Sequence, residues 1–123
     1  MLTGNTLALR LENLAPGIRL LTLSGELDLF AAPELKQAIS RALDADTRDL
    51  IVDLTHTAFI DSSGLAALIL AMKRARSRGG QMVVVDADGA VSRTFRMAGL
   101  DQIVTIVTSR EAALAELSTC AGG

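Results

Sequence analysis

Asp61, Ser62 and Ser63 stand in a row ahead of Gly64 and the apolar run Leu65 to Met72. Two chemistries suit that pattern. Each of the three side chains can accept a hydrogen bond from a free backbone N–H in the first turn of a following helix, so the cluster reads as an N-cap. A serine in a loop outside the carboxyl end of a strand is also reachable by another protein, and the cluster then reads as a phosphorylation switch. Other chemistry is missing. The chain has no Walker A sequence and no GxGxxG, the usual backbone cradles for a nucleotide. The nucleophile elbow G-x-S-x-G fails because Ile60 and Asp61 occupy the positions two before Ser62 and Ser63. His56 and Cys120 are the single histidine and cysteine and lie far apart, with no metal-ligand spacing. His56 reads as a solvated residue of a strand-to-helix loop. The expectation is a protein that is not an enzyme and uses neither metal nor cofactor.

Composition narrows the class further. A length of 123 residues fits one domain, residues 1–123 with a core over about 7–118, large enough to bury a core without staples. Twelve Lys and Arg against 14 Asp and Glu give a net charge of −2, which leaves no basic footprint for nucleic acid. The three aromatics, Phe30, Phe59 and Phe95, are expected in an otherwise aliphatic core. The lone Cys120 fits a reducing cytoplasm. Residues Met1 to Arg10 show no signal-peptide pattern, and the apolar run Leu65 to Met72 is too short to span a bilayer. No membrane insertion is expected.

The elements that must position the cluster follow from periodicity. Leu7, Leu9 and Leu11 alternate with Ala8, Arg10 and Glu12 as in an edge strand, and Pro16-Gly17 turns the chain into a second strand, Ile18 to Leu23, ending at Ser24-Gly25. Pro33 opens a helix over about 32–44. Leu50 to Leu54 reads as a buried central strand with Asp53 inside it, hydrogen-bonded locally. The helix from Ser63 to about Arg78 ends at Gly79-Gly80, its arginines forming a solvated face. Met82 to Val85 is a strand, Val91 to Ala98 a short helix, Ile103 to Val107 a last strand. Ser109 caps a final helix carrying Ala113, Leu114 and Leu117, and the tail after Thr119 is expected to fray. Strands separated by helices predict an α/β domain: a mixed, mostly parallel sheet with about four helices and an antiparallel N-terminal edge strand.

Residues 17–118 resemble the STAS domains shared by anti-sigma factor antagonists and the cytoplasmic tails of sulfate transporters. The segments that carry the resemblance are Gly25-Glu26-Leu27-Asp28, the strand Leu50 to Leu54, Phe59-Ile60-Asp61-Ser62-Ser63-Gly64-Leu65 and Gly79-Gly80-Gln81-Met82-Val83-Val84. The chain is most similar to the free-standing bacterial antagonists. The resemblance implies partner switching: the unphosphorylated protein binds an anti-sigma factor that is also a serine kinase, freeing a sigma factor. Phosphorylation of the loop serine, here Ser62, blocks that binding, and a separate serine phosphatase reverses it. The implied partner surface comprises Gly25, Asp28, Asp61, Ser62, Ser63 and Gly64. A helix starting here is expected to place Ser62 near the N-cap and Ser63 in the first turn. Asp28 alternatively begins the first helix as a cap-like residue. Two departures stand out: Ala66 where many relatives carry glycine, and Leu29-Phe30 after Asp28 where polar residues are common. That apolar pair beside the implied partner face points to a different partner or an additional contact. The alternative implied role is a non-catalytic scaffold subunit of a transporter or lipid-transport complex.

Overall fold

The computed structural model describes residues 7–122, with side chains described through Ser118. Ten residues, five of them aliphatic and with Gly25 among the rest, extend as β2, Ile18–Leu27, against β1, Ala8–Ala15. Gly17, at φ 78°, makes the tight turn that joins them as an antiparallel hairpin. The chain continues through α1 (Ala32–Ala42), β3 (Asp49–Ile60), α2 (Ser62–Ser77), β4 (Met82–Val85), α3 (Ala90–Met97), a 3-10 turn at Leu100–Gln102, β5 (Thr105–Val107) and α4 (Arg110–Gly122). The sheet order is β1-β2-β3-β4-β5, and every pair after the first is parallel.

That order fixes the layers. Each of the steps β2 to β3, β3 to β4 and β4 to β5 moves one strand the same way. Right-handed crossovers therefore carry α1, α2 and α3 to the same face. The larger core forms there, from Leu21, Leu23, Leu50, Val52, Leu54 and Val84 on the sheet and Leu35, Ile39, Leu68, Met72 and Phe95 on the helices. The alternate strand residues Leu20, Ile51, Val83 and Val85 face the other way and meet Ala113 and Leu117 of α4. Val107 and Ile18 pack at the margin of this second core.

Several sequence expectations need correcting. β2 does not end at Ser24-Gly25: Gly25 takes φ 117° within the strand, beside an irregularity in the β2–β3 register, a glycine bulge that bends the strand without stopping it. β3 likewise runs on past Leu54 to Ile60, so His56 is an exposed strand residue rather than a loop residue. The last strand begins at Thr105, because Leu100–Gln102 coils into the 3-10 turn and Val104 N donates to Leu100 O at 2.9 Å. α4 continues through Gly122, beyond the expected limit at Thr119. Ser109 caps it as expected, its hydroxyl accepting from Ala112 N at 3.0 Å. The side chain of Cys120 and residues 1–6 lie outside the described residues.

The arginines of α2 and the Arg78 that follows it are not a simple solvated face. Arg78 donates to the carbonyls of Leu43, Asp44 and Thr47, Arg76 to Ile103 O at 2.7 Å and Arg74 to Ser40 Oγ at 3.1 Å. For the carbonyls the reason is general: after a helix end or turn they keep lone pairs that need donors, and a guanidinium supplies several.

Candidate functional site

The β2–β3 register shows how the site is held. β1 pairs with β2 up to Ser24, and β4 pairs with β3 only from Leu50 to Asp53, but β2 and β3 stay paired to Leu27 and Ile60. Beyond the body of the sheet the two strands therefore continue as a ribbon. Asp28 leaves one strand of its tip, and Asp61 leaves the other.

At that tip the backbone is tied across. Asp61 N donates to Leu27 O at 3.1 Å. Asp61 is extended, at φ −105° and ψ −173°, and its Oδ1 accepts from Gly64 N at 3.0 Å. The N-cap is thus Asp61, which corrects the expectation that placed Ser62 near that position. Only a residue with strand-like backbone can aim its oxygen back at the third helical N–H, and Asp61 is the last residue with that conformation before the helix. Ser62 and Ser63 become the first two residues of α2. Ser62 is exposed, Ser63 is half-buried and Gly64 is buried. Gly64 is where the helix start touches β2. A Cβ there would lie 2.6 Å from Leu27 O and 2.9 Å from Leu27 Cβ, closer than packed atoms allow, so a residue without a side chain is required.

Asp28 organises the opposite side of the tip. Its Oδ1 accepts from Phe30 N and Ala31 N, both at 3.0 Å, and its carbonyl accepts from Ala32 N at 3.0 Å. The cap-like reading of Asp28 describes this geometry, although α1 formally starts at Ala32 without a side-chain cap. Of the six residues singled out from the sequence, Asp28, Asp61, Ser62, Ser63 and Gly64 meet at the ribbon tip. Gly25 stands farther back, opposite Thr57. Sequence reasoning left Leu29 and Phe30 out of the site set and placed all three phenylalanines inside. Only Phe95 is fully buried, while Phe30 is 82% exposed and Phe59 49%. The departure after Asp28 was the available signal.

Two other polar features are structural. Asp53 is buried, and its carboxylate accepts from Thr55 N at 3.0 Å and from Arg110 Nε at 3.0 Å. Burial works to raise this carboxyl, but the Thr55 hydrogen bonds and then the Arg110 hydrogen bond and charge outweigh it, so its pKa is lowered. Arg110 also reaches Thr22 Oγ1 at 3.4 Å, clamping the start of α4 to β2 and β3. An open, polar groove on that face is lined by Arg10, Glu12, Thr22, Ser24, His56 and Arg110. Among the described residues no cluster of His, Cys, Asp and Glu has the make-up of a metal site, and no helix is long and apolar enough to cross a membrane.

A mixed sheet in this strand order, with a D-S-S-G helix start at the tip of its central strands, defines a domain class. The STAS domain profile matches residues 13–113, and the chain belongs to that family. It is similar to the anti-sigma F factor antagonist of Paenibacillus polymyxa, 31% identical over 102 residues that cover 82% of this chain and 87% of the relative. The crystal structure of an anti-sigma factor antagonist from Mycobacterium paratuberculosis superposes with a TM-score of 0.84 at 25% identity, over 96% of this chain and 99% of that one. The anti-sigma factor antagonist SpoIIAA in its unphosphorylated form gives a TM-score of 0.72 at 25% identity, over 86% and 93%.

Proposed function

We propose that this chain is an anti-sigma factor antagonist of the cytoplasm, that its unphosphorylated form binds an anti-sigma factor with serine kinase activity and thereby releases a sigma factor, and that phosphorylation of Ser62 blocks the binding. A separate serine phosphatase restores the active form, and the chain itself is not a catalyst. The names of the similar proteins support the class of partner. The single observation that carries the choice of residue is the exposure of Ser62 at the first position of α2, with Asp61 and not Ser62 holding the cap. Its hydroxyl has no capping duty to leave when a kinase takes it. Ser63 is half-buried.

The physics favours a switch of binding over a switch of fold. Phosphoserine adds about −1.5 to −2 charge at neutral pH. At an exposed helix N-terminus the macrodipole favours that charge by only about 0.3–1 kcal/mol, and Asp61 beside it opposes the anion. The local effects partly cancel. Set against a partner surface with no cation for it, however, the phosphate must be desolvated at a cost of several kcal/mol. That is comparable to the roughly 5.5 kcal/mol that takes an equilibrium from 99:1 to 1:99.

The test is to incubate the protein with ATP and the serine-kinase anti-sigma factors of its source organism and to map phosphate by mass spectrometry. The expected label is on Ser62, abolished in Ser62→Ala and retained in Ser63→Ala. Phosphate on Ser63 in the wild type overturns the residue assignment. No labelling and no binding by any of these kinases overturns the antagonist reading in favour of a scaffold role.

A further inference from the structure

The ribbon tip carries an apolar surface that the helix cap and the serine do not account for. Leu29 is 64% exposed and Phe30 82%, side by side in the turn that Asp28 closes. Both lie in solvent directly after Asp28. Exposed apolar side chains paired at one turn mark interaction surfaces, and aromatic side chains dominate the few contacts that hold interfaces together. The turn is also fixed in advance: the N–H groups of Phe30 and Ala31 are both held by the Asp28 carboxylate at 3.0 Å, so docking orders little that is not already ordered.

We propose that Leu29 and Phe30 are the apolar anchor by which this chain docks on its serine-kinase anti-sigma factor, seated in an apolar hollow whose edge carries basic side chains facing Asp28 and Glu34 and none facing Ser62. The proposal rests on the antagonist reading and adds the chemistry of the partner's surface. Charge selects the occupant. No Lys or Arg occurs from Leu20 to Leu35 or from Asp49 to Met72, while Glu26, Asp28, Glu34 and Asp61 fall inside those stretches. The charged residues nearest the pair in sequence, Asp28 before it and Glu34 after it, are acidic, and Lys36 is the first cation beyond them. A second copy of the chain would set acid against acid, and an anionic membrane would repel the same residues. A protein with cations around an apolar centre matches.

The measurement is calorimetric titration of the full-length protein into each purified serine-kinase anti-sigma factor of the source organism, with sedimentation of the free protein alongside. Leu29→Ser combined with Phe30→Ser is expected to weaken binding to the cognate kinase by about thirtyfold or more, the equivalent of about 2 kcal/mol for a central contact. Met97→Ser, another exposed apolar residue at 83%, is expected to leave it unchanged. All these side chains are exposed, so melting temperatures stay at the wild-type value. If the wild type binds a kinase and the double variant binds it within about threefold as well, the anchor is wrong and the antagonist reading stands. If the wild type is a dimer that the double substitution dissolves with kinase affinity unchanged, the patch is a self-contact and the proposal fails. Should no kinase bind the wild type, both readings fall.

Discussion

At Asp61 the carboxylate does one structural job, and its neighbour Ser62 does none that holds the helix. Replacing Asp61 by Ala should lower stability by about 0.5–2 kcal/mol through loss of the cap. Ser62→Ala should stay within about 0.5 kcal/mol of wild type, as exposed substitutions do. Urea unfolding of the two variants checks the difference, and the reverse order would return the cap to Ser62. Gly64 supplies a second case in which two effects oppose. Alanine is the better helix former by about 1 kcal/mol, but its Cβ would meet the Leu27 carbonyl oxygen at 2.6 Å. Overpacking typically costs about 1–3 kcal/mol, and the obstacle here is backbone that cannot rotate away. Gly64→Ala is therefore expected to be less stable than wild type, and a gain in stability would refute the close approach. The D-S-S-G cluster was legible from residue types alone. Which of three cap-forming residues does the capping was not, because that depends on where extended backbone ends, and adjacent Asp and Ser residues carry no periodicity to show it.

Among the elements, β2 and β3 decide where the site stands, and their outer halves were the least readable part of the chain. Leu50 to Leu54 is apolar at every position but Asp53 because both faces are covered there. From Thr55 to Phe59 the strand lies beyond β4, exposes His56, Ala58 and Phe59, and so lacks that signal. Gly25 looks like a terminator but is a bulge inside β2. α4 shows the opposite case: its Ser109 cap and its Ala113 and Leu117 stripe were legible, whereas the tie from Arg110 to Asp53, 57 residues apart in sequence, had no local signature. Arg110→Ala should destabilise by about 1–3 kcal/mol by leaving the Asp53 carboxylate short of a partner. The exposed side of the guanidinium keeps this below the about 3–5 kcal/mol of a fully buried pair. The effect has a definite pH dependence. Asp53 has a lowered pKa when folded, so the contribution of the clamp is fully present above the unfolded value of about 3.9 and is lost as pH falls through the lower folded value. The stability gap between wild type and Arg110→Ala should hold steady from neutrality to about pH 4 and shrink below it. A gap that widens in acid would contradict the clamp.

For the whole molecule, the strand order and handedness do most of the functional placing. Three crossovers in the same direction put α1, α2 and α3 on one face, and the start of α2 necessarily emerges at the carboxyl end of the central strand, next to the end of β2. The fold class and the juxtaposition of Asp28 with the serine loop were legible for that reason. The exposure of the Leu29-Phe30 pair was not, since an apolar residue in sequence reads first as core. A site on a hydrogen-bonded ribbon tip is suited to blocking or permitting contact without refolding, and that is the central claim. It is tested most directly by measuring the affinity of one anti-sigma factor kinase for the unphosphorylated protein and for the same protein stoichiometrically phosphorylated on Ser62, under conditions where circular dichroism shows both fully folded. The account predicts that the phosphorylated form binds at least about a hundredfold more weakly, the equivalent of about 2.8 kcal/mol. Equal affinity of the two folded forms would contradict it.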